Sequence, residues 1–307
     1  MTAADDLPLD CLIVGAGPAG LTAATYLARF HRSLCVVDAG KSRARWIPTS
    51  HNCPGFPFGV AGPELLAKLR AQAVEYGVLI DEGRIGKLER EDDGFVAIAD
   101  DGRRWRACHV LLATGVVDVM PAMEGLEAGI ARNAIRLCAV CDGYEASDDR
   151  IAVLAPADEA IRHALFLRTF SRRVTAIRSE PGEPSPECAQ LAADAGVTLL
   201  PPATALRCSD AGCEVDTDAD THCFDTLYPV LGSAVQSDLG AMLGAEVNDK
   251  GEFRVDAHME TCVDGLYAVG DVVDGLNQIS VAVGHGAIAA TAIHNRLPRN
   301  WRERQRD

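Results

Sequence analysis

The sequence predicts an α/β protein in which two βαβ units follow one another along the chain. The first unit spans residues 10–39, where an unbroken apolar strand is followed by a glycine-rich turn, an amphipathic helix and a second strand. The second unit starts at Ile151 with another apolar strand and continues through a helix to a strand at 174–177. A chain of 307 residues, 48% apolar and 24% charged, is long enough for two globular domains of this kind.

Charge and hydropathy exclude several kinds of partner. The chain has 29 basic and 44 acidic residues, a net charge of -15, which disfavours nucleic acid and anionic membranes as partners. No stretch approaches the roughly 20 apolar residues that a membrane helix needs. Residues 1–9 contain Asp5 and Asp6 and lack the basic flank of a signal peptide. Together with eleven cysteines, these features predict a cytoplasmic protein with mostly free thiols.

The turn of the first βαβ unit has the G-x-G-x-x-G pattern of a dinucleotide site. Gly15, Gly17 and Gly20 allow the backbone to approach a pyrophosphate, and the helix predicted over 18–30 offers unpaired N–H groups at its positive end. Asp38 ends the second strand 18 residues beyond the last glycine, where its carboxylate can accept hydrogen bonds from ribose hydroxyls. Strand, helix and acid together favour cofactor binding over a purely structural turn.

Cys138 and Cys141 form a C-x-x-C pair at the predicted start of a helix. The spacing places two sulfurs within disulfide reach, and a helix dipole at this position lowers the pKa of the first thiol. The thiolate is the species that exchanges with disulfides. The alternatives are half of a zinc site or two buried thiols. No second C-x-x-C pair follows at zinc-ribbon spacing, which favours a redox-active pair.

A second group of possible metal ligands consists of Cys208, Cys213, His222 and Cys223. Adjacent residues of a strand point to opposite faces, so His222 and Cys223 are poorly placed to bind one ion. We therefore expect ordinary strand and loop residues there and no metal site. The polar tail at 298–307 is predicted to be mobile apart from Trp301, whose ring either covers the bound dinucleotide cofactor or a subunit interface or lies on a frayed end.

Five motifs occur in the order and spacing of thioredoxin reductase-like flavoproteins. They are GAGPAGL (15–21), SHNCPGFPFGVAGPELL (50–66), LLATG (111–115), CAVCDG (138–143) and GDVVDGLNQISVAVGHGAIAA (270–290). The chain resembles this family over nearly its whole length. The resemblance implies a homodimer with two Rossmann-like domains of the three-layer ββα type. A discontinuous FAD domain (1–118 and 234–307) would contain an inserted pyridine-nucleotide-type domain (119–233) that carries the C-x-x-C pair.

The resemblance also implies roles for individual residues. Cys141 would face the flavin, Cys138 would attack the substrate disulfide, and Asp142 would donate and accept protons beside them. His285 lies between two glycines of the last helix, where it serves either proton transfer or a hydrogen bond to the backbone.

The implied FAD contacts come from every part of the chain that carries a motif. Asp271 would meet the ribityl or pyrophosphate part of FAD, and Gln278 with the start of the last helix would face the isoalloxazine. The complete set is Gly15, Gly17, Pro18, Ala19, Gly20, Asp38, Ala39, Asn52, Ala113, Thr114, Gly115, Gly270, Asp271, Gln278, Ile279 and Ser280.

The turn of the second βαβ unit departs from the family pattern. NADPH-dependent members carry a glycine fingerprint there and two arginines after the next strand, whereas this chain has APADEA at 155–160. Side chains therefore stand where the pyrophosphate would approach the backbone. We expect Asp158 and Glu159 to satisfy the helix's own first N–H groups and to repel phosphate. After the next strand, Arg178 stands alone beside Glu180. The sequence therefore predicts that an intact NADPH-binding motif is absent.

These observations predict an FAD-dependent thiol-disulfide oxidoreductase that passes electrons between flavin, the dithiol and a substrate. The substrate would be a thioredoxin-like protein or a small dithiol or disulfide, and the electron partner ferredoxin, another flavin or dioxygen. One alternative is a conventional NADPH-dependent thioredoxin reductase that holds the nucleotide 2'-phosphate through Arg172, Arg173 or Arg178. An alternative of another class is a non-catalytic redox-sensing flavoprotein, against which the intact dithiol argues.

Overall fold

The computed structural model describes residues 7–302. Two short segments lie outside the described residues, namely 1–6 and 303–307. The first contains Asp5 and Asp6, on which the signal-peptide prediction rests, and the second belongs to the predicted tail. Within the described chain, no helix has the length and apolar character needed to cross a membrane.

The elements alternate between strands and helices along most of the chain. The first part contains β1 (Leu9–Val14), α1 (Pro18–Arg29), β2 (Leu34–Asp38), α2 (Gly62–Glu75), β3 (Leu79–Glu82), β4 (Ile85–Glu91), β5 (Gly94–Ala99), β6 (Arg104–Leu112) and β7 (Val116–Asp118). The middle part contains α3 (Leu126–Ala131), α4 (Ala139–Asp142), β8 (Arg150–Ala155), α5 (Ala157–Leu167), β9 (Arg173–Arg178), α6 (Pro186–Ala195), β10 (Thr198–Pro202), β11 (Ala205–Ser209), β12 (Gly212–Asp216), β13 (Thr221–Phe224), β14 (Thr226–Pro229) and β15 (Ser233–Val235). The last part contains α7 (Asp238–Ala241), β16 (Leu266–Ala268) and α8 (Ile279–Arg296).

The chain divides into two compact units. Unit 1 consists of the residues up to Arg45, Pro63–Val117 and the residues from Val235 on, and unit 2 of Trp46–Gly62 and Asp118–Ala234. Strands β7 and β15 pair with each other where the chain passes from one unit to the other. The predicted boundaries assigned 46–62 to the FAD domain, but this segment groups with unit 2. Ser50 and Val60 pair within it, and Trp46 packs on a hydrophobic core of that unit.

Unit 1 is built on a sheet with two covered faces. Parallel strands occur in the order β3-β2-β1-β6-β16, and the β4-β5 hairpin pairs antiparallel with the first half of β6. Successive side chains of a strand point to opposite faces. Accordingly, Ile13 lies in the core that contains residues of α1 and α8, whereas Leu12 and Val14 lie in the core that contains residues of the hairpin. The unit therefore has three layers.

Unit 2 repeats this plan on a smaller scale. Its parallel sheet has the order β10-β9-β8-β14, and β11, β12 and β13 form a separate antiparallel sheet. Ile151 and Val153 of β8 lie in the core with residues of α5 and α6, while Ala152 and Leu154 lie in the core with residues of the antiparallel sheet. The predicted fold class, an α/β protein with two Rossmann-like domains, is confirmed.

Candidate active site

The glycine turn between β1 and α1 forms a close backbone contact in unit 1. Gly15 has a φ of +106°, and a Cβ placed on it would lie 2.4 Å from the carbonyl oxygen of Ala113. A Cβ on Gly20 would lie 2.0 Å from the carbonyl oxygen of Gly15. Both positions therefore require glycine, since no side chain fits and the φ of Gly15 disfavours any other residue. The result is a turn that brings α1 close to the carboxyl ends of β1 and β6.

The N-terminus of α1 suits an anionic group. Its N-cap, Gly17, has an extended backbone and no side-chain cap, and the first turn carries no acidic residue. The first N–H groups of a helix have no intrahelical partners and carry partial positive charge. Asp38 accepts a hydrogen bond from the Ala16 N–H at 3.0 Å, which holds its carboxylate at the turn. No Cβ fits at Gly15 or Gly20, the first N–H groups of α1 are open, and the Asp38 carboxylate is fixed at the turn. Together these features fit the diphosphate and ribose of FAD.

The C-terminal segment approaches the same turn. Gly270 has a φ of +76°, and a Cβ on it would lie 3.1 Å from the Cβ of Ala19, so the 3₁₀ turn at Gly270–Val272 packs directly against α1. Asp271 of this turn pairs with Arg43, with 3.3 Å between Oδ2 and Nη1. Arg43 begins the 3₁₀ turn that follows β2. Two separate segments therefore contribute an acid and an arginine to the cofactor site, and sequence reasoning found only the acid.

The predicted FAD contacts fall in both units. Those in unit 1 are Gly15, Gly17, Pro18, Ala19, Gly20, Asp38, Ala39, Ala113, Thr114, Gly115, Gly270, Asp271, Gln278, Ile279 and Ser280. Asn52 lies in unit 2, where Ser50 Oγ donates to its Oδ1 at 3.1 Å. In unit 1, the Thr114 hydroxyl donates to the carbonyl of Gln236 at 2.6 Å and so fixes the end of β6.

His285 is bonded to the backbone of unit 1. The Gly270 N–H donates to its Nδ1 at 3.4 Å. Burial lowers the pKa of His285, and the charge of Asp271 opposes this shift only in part. An accepting Nδ1 carries no proton, so the ring is neutral in this arrangement. The backbone hydrogen bond predicted as one alternative is therefore present at Nδ1, and Nε2 is the nitrogen that proton transfer would use.

The C-x-x-C pair in unit 2 is a disulfide. The Cys138 and Cys141 sulfurs are 2.12 Å apart and their Cα atoms 5.3 Å apart. Cys138 is the N-cap of α4, as the predicted helix start requires, but α4 has only four residues. A single turn aligns few peptide dipoles, so α4 provides less of a helix dipole at Cys138 than a full helix would.

Asp142 is held by two residues from other parts of unit 2. The Tyr228 hydroxyl donates to its Oδ1 at 2.9 Å, and Arg136 Nη1 lies 3.5 Å from its Oδ2. Burial raises the pKa of Asp142, and Arg136 and then Tyr228 act against this shift, while the nearby Glu145 adds to it. A carboxyl group whose pKa is raised above its ordinary value is a better proton donor than an unperturbed one, and its ionised form accepts a proton more readily. This environment suits the role that the resemblance implies for Asp142.

Arg136 itself is almost fully buried. Its side chain is 9% exposed, and its Nε is a buried nitrogen that has no hydrogen-bond partner among the described residues. Sequence reasoning missed both Arg136 and Tyr228. The charge of Arg136 two residues before Cys138 was an available signal, whereas Tyr228 lies in a fully buried strand and gave none.

The turn between β8 and α5 differs in detail from the prediction. The N-cap of α5 is Pro156 and makes no side-chain cap. Asp158 accepts a hydrogen bond from the Ser185 N–H at 2.7 Å, at the start of α6, and Glu159 lies 3.7 Å from the His163 ring within α5. The expectation that the two carboxylates satisfy the first N–H groups of α5 is therefore wrong, because other partners bind them. The Ser185 bond holds the pKa of Asp158 below its ordinary value.

Arg178 at the end of β9 is engaged by a nearby loop. Its Nη1 lies 2.6 Å from Glu183 Oε1 and 2.6 Å from the Gly182 carbonyl oxygen, and its side chain is 15% exposed. The prediction placed it beside Glu180, but the loop after β9 brings Glu183 to it instead. Its positive charge is already neutralised within the protein.

The group of cysteines in the antiparallel sheet does not converge on one point. Cys208 and Cys213 face each other across β11 and β12, whereas Cys223 pairs with Glu214, which points to the opposite face of β12 from Cys213. No group of three or more His, Cys, Asp or Glu that could hold a metal ion occurs in the part of the chain that the structure describes. At the chain end, Trp301 is 79% exposed, with the Arg299 guanidinium 5.4 Å from its ring centre.

Comparison with known proteins agrees with this arrangement. The family model described as pyridine nucleotide-disulphide oxidoreductase matches residues 9–286. The thioredoxin reductase of Mycolicibacterium smegmatis is 29% identical over 92% of this chain and 94% of its own length. A thioredoxin reductase structure from Streptococcus pyogenes MGAS5005 has a TM-score of 0.86 at 27% identity, covering 94% of this chain and 97% of its own. An oxidoreductase structure from Agrobacterium tumefaciens has a TM-score of 0.81 at 30% identity, covering 94% and 98%.

The chain belongs to the pyridine nucleotide-disulphide oxidoreductase family. Within that family it is an FAD-dependent disulfide oxidoreductase of the thioredoxin reductase-like type.

Proposed function

We propose that this enzyme exchanges electrons with a thiol or disulfide substrate through the Cys138–Cys141 pair and does not use NADPH. The observation that carries the proposal is the turn at 155–160, which lacks glycine and presents Asp158 and Glu159 at the start of α5. A dinucleotide diphosphate needs close access to backbone N–H groups and a favourable charge. The Pro156 ring has no N–H to offer, and the two carboxylates repel phosphate.

A second observation concerns the 2'-phosphate. The residue best placed by the sequence pattern to bind it, Arg178, already bonds to Glu183 and to the Gly182 carbonyl. To bind the 2'-phosphate, Arg178 would have to exchange its 2.6 Å ion pair with Glu183 for an ion pair with the phosphate. The contrast with unit 1 supports the proposal, because the glycine turn at Gly15, Gly17 and Gly20 keeps every feature that the turn in unit 2 lacks.

FAD, when bound at the glycine turn and the Gly270–Val272 segment, supplies a two-electron redox centre. In the reduced protein, Cys138 attacks the substrate disulfide as a thiolate and forms a mixed disulfide, and the leaving thiolate takes a proton. Cys141 then attacks the Cys138 sulfur, which releases the second substrate thiol and restores the disulfide. Asp142 supplies and recovers protons in these steps, and Arg136 and Tyr228 are positioning residues that hold it. The same steps run in reverse when a substrate dithiol is oxidised.

The resemblance to thioredoxin reductase-like flavoproteins supports further parts of the proposal. The substrate is a thioredoxin-like protein or a small dithiol or disulfide, and the second electron partner is ferredoxin, another flavin or dioxygen. We also propose a homodimer in a reducing, cytoplasmic setting, which fits the nine free cysteines outside the Cys138–Cys141 pair.

A conventional NADPH-dependent thioredoxin reductase is the second candidate, favoured by the names of the Mycolicibacterium smegmatis and Bacillus subtilis relatives. Steady-state NADPH oxidation by the FAD-loaded enzyme, with dithionitrobenzoate as the disulfide, separates the two. The proposal expects no turnover above background in the wild type. If the enzyme is a conventional reductase, it turns over NADPH, and the KM for NADPH rises when Arg172, Arg173 and Arg178 are replaced together by Ala. Turnover with this rise in KM would overturn the proposal.

A further inference from the structure

Two cysteines outside the active site face each other in unit 2. Strands β11 and β12 form a hairpin whose turn is Asp210 and Ala211, and Cys208 is directly opposite Cys213, one pair beyond the turn-flanking residues. In an antiparallel ladder, directly opposite residues have Cα atoms about 4.5–5.5 Å apart. Disulfide-bonded cysteines have Cα atoms about 4.4–6.8 Å apart. The backbone of this hairpin is therefore already within the range of a disulfide.

The two thiols differ in environment. Cys213 is fully buried and its Sγ donates to the Ala134 carbonyl at 3.5 Å, whereas Cys208 is partly exposed. Burial raises the pKa of the Cys213 thiol, and the hydrogen bond and charge of Cys208 raise it further. That mutual influence shows that the sulfurs are near neighbours. Cys208 is thus the accessible thiol, and Cys213 the buried thiol next to it.

We propose that Cys208 and Cys213 form a second redox-active dithiol, which small disulfides convert to a cross-strand disulfide. The Cys208 thiolate attacks the oxidant RSSR, forms a Cys208–SR mixed disulfide and releases one thiolate, which takes up the proton that Cys208 lost. Cys213 then loses its proton and attacks the Cys208 sulfur as a thiolate, and the released RS thiolate takes up that proton. Two protein thiols and one RSSR give one protein disulfide and two RSH, so electrons and protons balance.

The position of the pair gives its oxidation a local consequence. Cys213 bonds to Ala134, four residues before Cys138, and a Cβ on Gly129 of α3 would lie 3.1 Å from the Cys208 sulfur. Oxidation removes the Cys213 S–H donor, so the Ala134 carbonyl loses this bond. The second dithiol therefore borders the segment that leads into the first.

Peptide mapping of the oxidised holoenzyme tests this proposal without any measure of catalysis. The FAD-loaded protein is reduced with dithiothreitol, freed of it, treated with oxidised glutathione, acid-quenched, alkylated and digested with trypsin and an endoproteinase that cleaves after Glu. These cuts, after Arg207 and Glu214, isolate a peptide with Cys208 and Cys213 but without Cys223. The Cys138–Cys141 pair serves as the internal control for oxidation, and Cys223→Ser as a matched variant that removes the other cysteine of the hairpin sheet.

In both the wild type and Cys223→Ser, we expect the 208–214 peptide to be unalkylated and two hydrogen atoms lighter than its dithiol form. In Cys208→Ser, we expect the peptide to be alkylated at Cys213. Two alkylated thiols in this peptide from a sample in which Cys138 and Cys141 are oxidised would overturn the proposal. A glutathione adduct on Cys208 with an alkylated Cys213, or a link to Cys223, would also overturn it. None of these outcomes depends on whether the enzyme uses NADPH.

Discussion

At the scale of residues, we propose that the reactivity of the dithiol depends on how Asp142 is held. Burial favours its neutral form, and the Arg136 guanidinium and the Tyr228 hydroxyl favour its charged form. The sequence identified Cys138, Cys141 and Asp142 because they are adjacent and carry a motif. Arg136 was missed although its charge lies two residues before Cys138. Tyr228 could not be identified as a partner, because its contact with Asp142 joins residues 86 positions apart.

Replacing Asp142 by Asn should slow exchange at the dithiol. The amide has nearly the same shape but neither takes up nor releases a proton at neutral pH, and general acid-base catalysis typically contributes a factor of about 10² or more. We expect the rate at which dithiothreitol reduces the Cys138–Cys141 disulfide to fall by about that factor. Timed alkylation and mass spectrometry of the FAD-loaded protein measure it, and an unchanged rate would remove Asp142 from the proton-transfer role.

Replacing Arg136 by Met should move the pH profile of the same reaction. Arg136 lowers the pKa of Asp142, so its loss leaves burial opposed only by the Tyr228 hydrogen bond and the pKa rises further. The inflection assigned to Asp142 is therefore expected at higher pH in Arg136→Met, and near its wild-type position in Arg136→Lys, which keeps the charge. The inflection should be absent from Asp142→Asn. A profile in Arg136→Met that matches the wild type, or moves to lower pH, would contradict this assignment of Arg136.

At the scale of elements, the cofactor site depends on how closely α1 and α8 pack. Gly286 of α8 lies where a Cβ would be 2.5 Å from the Ala19 carbonyl oxygen and 3.1 Å from the Ala23 nitrogen, both backbone atoms of α1. Backbone atoms cannot rotate away as a side chain can. Any side chain at this position therefore moves α1, and with it the helix N-terminus at which we expect the FAD diphosphate to bind.

Gly286→Ala is expected to destabilise unit 1 by about 1–3 kcal/mol and to weaken FAD retention, as overpacking does in well-packed cores. Gly284 is the matched control, since it lies in the same helix and a Cβ on it meets nothing within 4 Å. Gly284→Ala should leave stability unchanged or raise it by up to about 1 kcal/mol, because Ala favours helices. Urea unfolding and FAD content after gel filtration measure both effects. Equal behaviour of the two variants would contradict the account of the α1-α8 contact.

Elements were predictable where their signal is local. The βαβ units follow from apolar runs and helical periodicity within a few tens of residues, and α1 begins at Pro18 as predicted and ends one residue early, at Arg29. Two features that were not predicted depend on contacts between distant segments. They are the pairing of Asp158 with Ser185 and the grouping of Trp46–Gly62 with unit 2. The pairing of Arg178 with Glu183, five residues further on, was also not predicted and depends on the path of the loop after β9.

At the scale of the whole molecule, two units of similar architecture differ in the residues at the turn between their first strand and helix. Unit 1 has glycines where the backbone of the β1-α1 turn makes its close contacts, and the first turn of α1 carries no acidic residue. Unit 2 carries Pro156 at the N-cap of α5 and two acids in its first turn, and it also carries the dithiol. Because one unit retains the features of a cofactor site and the other lacks them, we expect the enzyme to draw its electrons from a source other than NADPH.

An anaerobic titration of the FAD-loaded enzyme tests this claim most directly. Flavin absorbance is followed as NADPH, then NADH, and finally dithiothreitol is added to one sample. We expect stoichiometric NADPH and NADH to leave the flavin oxidised and dithiothreitol to bleach it, because electrons enter through Cys138 and Cys141. The Cys138→Ser variant should retain its FAD and lose the response to dithiothreitol. Rapid bleaching of the wild type by stoichiometric NADPH would contradict the account and identify a working nucleotide site in unit 2.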